Sequence, residues 1–85
     1  MILTNPDAIK LHDAATKYRV NLYKRFKSDE NMLKMAEQDY IDLMSIAIMI
    51  EENEFKTKAI ARAIGNLDTI VRDTIPNDIY DRYCS

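Results

Sequence analysis

The sequence predicts an all-α fold: three helices in an antiparallel hairpin or bundle, assembling into a homo-oligomer. Three observations lead there. Apolar residues recur at three- and four-residue spacings over long stretches, the pattern of one buried helix face. Glycine occurs once and proline twice in 85 residues, too few for the tight turns of a sheet-rich chain. Residues 43–50 read Leu-Met-Ser-Ile-Ala-Ile-Met-Ile, apolar at seven of eight positions and nearly all round a helix. Such a segment wants neighbours on two or three sides, from its own chain and from another copy. A chain this short buries only ~60% of its unfolded surface, so self-association adds core that one copy lacks.

The first helix is expected over about residues 6–26. Asn5 suits the cap, Pro6 the first helical position, and Asp7 the positive end of the helix dipole. Leu11, Ala15, Tyr18, Leu22 and Phe26 form its apolar stripe. Lys10, Lys17 and Lys24 recur every seventh residue on another face, flanked by Arg19 and Tyr23. Ser28 is the candidate cap of a second helix, about 29–52, with Asp29 and Glu30 in its first turn. Its seam is Leu33, Ala36, Tyr40, Leu43, Ala47 and Ile50; Ile41, Met44, Ile46, Ile48 and Met49 lie off that seam. The β-branched run at 46–50 reads as helix because the helix-forming sequence before it is unbroken. After a break near 52–54, a third helix is expected over about 55–75. Its stripe is Ile60, Ala63, Ile64, Leu67, Ile70, Val71 and Thr74. Gly65 falls in its interior, where glycine costs ~1 kcal/mol relative to alanine. That predicts close approach of another helix or a ligand at the face shared by Ala61 and Gly65. Pro76 ends the helix, and Asn77 and Asp78 cap a short final turn carrying Ile79, Tyr80 and Tyr83. With no repeat, linker or low-complexity tract, residues 1–85 read as a single helical domain.

The net charge of −2 conceals a segregation. Residues 1–27 hold six bases against two acids, and residues 28–55 one base against eight acids. A basic helix followed by an acidic one pairs naturally as an antiparallel hairpin, and the same complementarity can set an oligomer. A sequence pI of 5.3 disfavours duplex DNA as partner. The lone cysteine, Cys84, excludes an intrachain disulfide, and no apolar run approaches the ~20 residues that span a bilayer. The N-terminus has no basic stretch before an apolar run, so no signal peptide is expected, and the expected location is cytoplasmic with no membrane partner.

Catalysis finds little support. The one histidine, His12, adjoins Asp13, but neighbours on a helix point ~100° apart and make no dyad. No phosphate-binding glycine loop, nucleophile triad or metal spacing is present, so no enzyme activity, metal or cofactor is expected. The acids at 39, 42, 51, 52 and 54 read as a solvated face, and the methionines as adaptable core or interface filler. The basic line of helix one has two readings. Lys24 and its fellow lysines supply point charge while Tyr18, Arg19 and Tyr23 supply stacking surface, a mixture that suits nucleotides. Equally, the line pairs with acidic helix two. Lys56, Lys58 and Arg62, beside Ala61 and Gly65, fit either an anion held between helices or a solvated first turn.

Two resemblances extend this. The runs Lys10-Leu11-His12-Asp13-Ala14-Ala15 and Ala59-Ile60-Ala61-Arg62 resemble pieces of the small helical-hairpin proteins with which phages sequester cyclic-oligonucleotide immune signals, the anti-CBASS sponges. Abundant Ile, Asn, Lys and Asp suit a phage gene from an AT-rich genome. The resemblance implies a non-enzymatic homo-oligomer in the host cytoplasm that buries cyclic di- or trinucleotides between protomers. Its ligand-binding residues would be Tyr18, Arg19, Lys24, Lys34 and Arg62. The closing stretch Arg72-Asp73-Thr74-Ile75-Pro76-Asn77-Asp78-Ile79-Tyr80 is similar to that of the Hha/YmoA nucleoid modulators, and the pattern around Leu67-Asp68-Thr69 to the AriR-type biofilm regulators. Those imply the alternative: a small helical regulator that binds a host protein or nucleoprotein partner, here through Glu37, Asp39 and Asp42 of the acidic helix.

Overall fold

The computed structural model describes residues 2–52 and 57–84, and among these every regular element is helical. Five helices follow in order: α1 (Pro6–Arg25), α2 (Glu30–Glu52), α3 (Thr57–Gly65), α4 (Thr69–Arg72) and α5 (Asn77–Cys84). The break expected near 52–54 and the side chain of Lys56 lie outside the described residues.

The first two helices start where local chemistry starts them. The Asn5 side chain accepts from the Asp7 amide at 2.9 Å, and Pro6 occupies the first helical position. At α2 the capping residue is Asp29, not Ser28: the Asp29 carboxylate accepts from the Met32 amide at 3.1 Å. An ionised carboxylate meets the orphan amides and the dipole together, so it outcompetes the neighbouring hydroxyl.

α1 and α2 form an antiparallel hairpin with the most extensive contact in the molecule. The pairs Thr4–Glu51, Tyr18–Asp39 and Tyr23–Glu37 descend along one helix as they ascend the other. Leu11 and Ala15 of α1 meet Leu43 and Ala47 of α2 in the core, with Ala36 also buried on the seam. Alanines at 8, 15, 36 and 47 let the backbones approach, and Leu11 and Leu43 fill the space between.

The expected third helix of residues 55–75 is instead two helices, and the expected final turn is a full helix. The chain leaves α3 at Gly65-Asn66, two weak helix formers. It restarts after Asp68, leaving Ile70 74% exposed and Val71 buried. The 3–4 apolar spacing runs unbroken through this corner, which is why periodicity alone joined the pieces. Gly65 is the terminal residue of α3, and a methyl group built on it would meet nothing within 4 Å. The predicted close approach at Ala61 and Gly65 is therefore absent. What Gly65 offers is its carbonyl, which accepts from the Arg72 guanidinium at 3.1 Å together with that of Leu67 at 2.8 Å. One arginine thus satisfies carbonyls that the helix end leaves orphaned.

α3, α4 and α5 all lie against one side of the hairpin. Ile60, Ile64, Val71, Ile75 and Ile79 fill its groove beside Ile46 and Ile50. α5 runs antiparallel to the start of α1. Lys10 Nζ meets Asp78 Oδ2 at 2.7 Å, while Arg82 and the Tyr83 hydroxyl both reach Asp7 Oδ2. Asp7, 8% exposed, carries a charge that burial would otherwise penalise, and Arg82 compensates it. Among the described residues the opposite side of the hairpin has no such cover.

Candidate functional site

The basic and acidic helices meet, but through few ion pairs. Arg19 places its guanidinium carbon 3.9 Å from the centre of the Tyr40 ring and Nη1 3.7 Å from Glu37 Oε1. The Tyr23 hydroxyl donates to that same Glu37 oxygen, which holds the phenol above its ordinary range. Tyr18 donates to Asp39 Oδ2 at 2.8 Å. Burial, and then that hydrogen bond, push the Tyr18 phenol up to about 12. Lys10, the first residue of the basic line, is paired with Asp78 on α5.

These contacts sort the five predicted ligand-binding residues. Tyr18 and Arg19 are engaged within the chain, by Asp39 and by Glu37 with Tyr40. Lys24, Lys34 and Arg62 are exposed and form no ion pair among the described residues. Arg19 and Lys24 come together at the turn end of the hairpin, where Arg19, Val20, Tyr23, Lys24, Lys27 and Glu37 ring a shallow depression. Tyr18 points the other way, toward the side that carries Asp68. Arg62 belongs to α3, which packs against that other side. A single chain therefore assembles two of the five residues, plus Tyr23, and separates the rest. The acids expected to dock a partner divide similarly: Glu37 and Asp39 face α1, while Asp42 accepts from Gln38 at 3.0 Å on the surface.

A different feature emerges on the uncovered side of the hairpin. Ile9, Val20 and Tyr23 of α1 and Ile41 of α2 are between 40% and 51% exposed. Between them Leu3, Ile9, His12, Met44 and Ile48 surround a shallow apolar hollow. His12 Nδ1 stands 3.5 Å from Asp13 Oδ1 at its margin, a contact the ~100° separation of neighbours did not anticipate. This open face spans both long helices. Half of it was visible in the sequence as the off-seam residues Ile41, Met44 and Ile48. The α1 half was not, because Ile9 and Val20 are isolated among polar residues and gain meaning only beside α2.

Among the described residues no group of three or more histidine, cysteine or acidic side chains could hold a metal ion. No helix is long and apolar enough to cross a membrane. The half-buried Cys84 thiol is pushed up by burial, away from the reactive thiolate form. Comparison with known protein families, curated proteins and solved structures finds no match to this chain.

Proposed function

We propose that this chain is a small, non-enzymatic helical regulator that works by protein contact and self-associates into a homo-oligomer. The observation that carries this reading is the open face of the α1–α2 hairpin. Large apolar side chains from the two antiparallel helices are collected on one side and left in water while the other side is closed by α3, α4 and α5. Contiguous apolar patches of that kind on small proteins mark interaction sites. Binding through this face needs no catalytic group and no bound cofactor.

A second reading is sequestration of cyclic di- or trinucleotides between protomers. The depression at the hairpin turn supports it, since it joins the Arg19 guanidinium, the Tyr23 ring and the Lys24 and Lys27 ammonium groups. Cationic and aromatic groups at one spot suit phosphate plus base. Lys34 enters such a site from the same side of the hairpin, whereas Tyr18 and Arg62 would have to come from a second protomer.

Native mass spectrometry of the protein purified from the cells that make it separates the two. A discrete oligomer with no adduct is the result expected for the regulator. An oligomer carrying extra mass equal to small nucleotides replaces it with the sequestration reading, and a bare monomer defeats both.

A further inference from the structure

We propose that the open hairpin face is covered by the same face of a second copy, rotated so that α2 lies antiparallel on α2. This rests on the self-association proposed above and specifies its surface and geometry.

Lys34, Ile41 and Ile48 recur every seven residues on the open side of α2, and Glu52 follows four residues later on the same side. The stripe therefore has a cation at one end, an anion at the other and isoleucines between. Lys34 and Glu52 are 18 residues apart, about 27 Å along a helix, and neither forms an ion pair among the described residues. Their midpoint is residue 43, in the middle of the apolar stretch. A two-fold axis crossing the helices there sets Lys34 against Glu52 of the second copy, and Glu52 against its Lys34. Ile41 then falls opposite Ser45 of the second copy, between that copy's Ile41 and Ile48. The same rotation lays the Val20 and Tyr23 end of α1 over the Leu3 and Ile9 end of the other α1.

The charge pattern selects this arrangement over its main rival. An axis running along the helices would also bury the two faces, with α2 on α1. It would place both hairpin turns at one end, stacking Lys34 over Lys24 and Lys27 of the second copy. Like charges brought together oppose that packing, and opposite charges favour the crossed one. The size is adequate as well. A face about 27 Å long and two helices wide offers a flat footprint of roughly 550 Å² a side before side-chain relief is counted. Two such faces meet the ~1,000 Å² in total that a specific interface needs.

Sedimentation equilibrium on the full chain and three variants tests this. The unmodified chain is expected to be a dimer at 50 µM. Ile41→Glu, at a half-exposed site where the fold tolerates charge, is expected to keep its helical circular dichroism and weaken the dimer at least tenfold. Lys34→Glu alone is expected to weaken it about threefold to tenfold, because each of two symmetric pairs becomes repulsive. Adding Glu52→Lys is expected to restore it to within about twofold. A dimer indifferent to Ile41→Glu overturns the face while leaving self-association standing. A dimer that Ile41→Glu breaks but the double reversal does not restore overturns the antiparallel arrangement. A monomer at 50 µM overturns the proposal together with the self-association it rests on.

Discussion

Tyr18 shows how much a single side chain here is committed to structure. Its hydroxyl is held by Asp39 and its ring is partly buried, so ionising it is opposed twice. The folded phenol titrates near 12 against about 10 in an unfolded chain. The neutral form stabilises the fold fully below pH 10, and that contribution is lost as pH rises through 12. Alkaline unfolding followed by circular dichroism is therefore expected to steepen between pH 10 and 12, and Tyr18→Phe is expected to flatten that part of the curve. Glu51 gives the opposite sign. The backbone amides of Asn5 and Thr4, with the Thr4 hydroxyl, hold its carboxyl below the usual carboxylate range. Its contribution is present at neutral pH and lost on acidification. The protection factors of the Thr4 and Asn5 amides, followed by NMR as the pH is lowered, are expected to drop before those of the α1 interior. Gly65 has no left-handed backbone and open space around it, so Gly65→Ala is expected to raise stability by about 0.4–1 kcal/mol in thermal melts. A loss would mean that a neighbour approaches that position after all.

At the level of elements, the hairpin was legible and the second half only in part. Of the α2 seam predicted from spacing, Ala36, Leu43, Ala47 and Ile50 are buried and Leu33 and Tyr40 half-buried, while Ile46, placed off the seam, is buried as well because the α3 side of the molecule packs on that flank. Long amphipathic segments leave little freedom, because shifting the face would put Leu43 in water and a carboxylate in the core. Leu43→Ala is accordingly expected to cost about 2–5 kcal/mol in denaturant unfolding. The corner between α3 and α4 escaped detection because Ile60, Ile64, Leu67 and Val71 keep helical spacing across it, and the turn chemistry of Gly65-Asn66 outweighs that pattern. α5 was foreseen only as a turn. Its eight residues cannot hold a helix alone, and long-range contacts sustain it: Ile79 in the core, and Asp78 and Arg82 on α1. Those partners are about 70 residues away in sequence and invisible to any local reading. Ile79→Ala is expected to release α5 first, seen as loss of amide protection in its backbone ahead of α1 and α2.

For the whole molecule, the candidate site was legible as composition more than as geometry. Lysine, arginine and tyrosine along helix one were correctly seen to be concentrated there, yet the acidic helix takes up Tyr18, Arg19 and Tyr23 once the hairpin closes. What folding leaves over is an apolar face with opposite charges at its two ends. It is 9.9 kDa of protein with one side of its principal hairpin finished and the other open. Protein contact through the open side is the proposed consequence of that asymmetry. The most direct measurement is the mass of the unmodified chain by sedimentation equilibrium across 1–100 µM. A concentration-dependent rise to about twice 9.9 kDa is expected. A mass that stays at that of one chain throughout would contradict it.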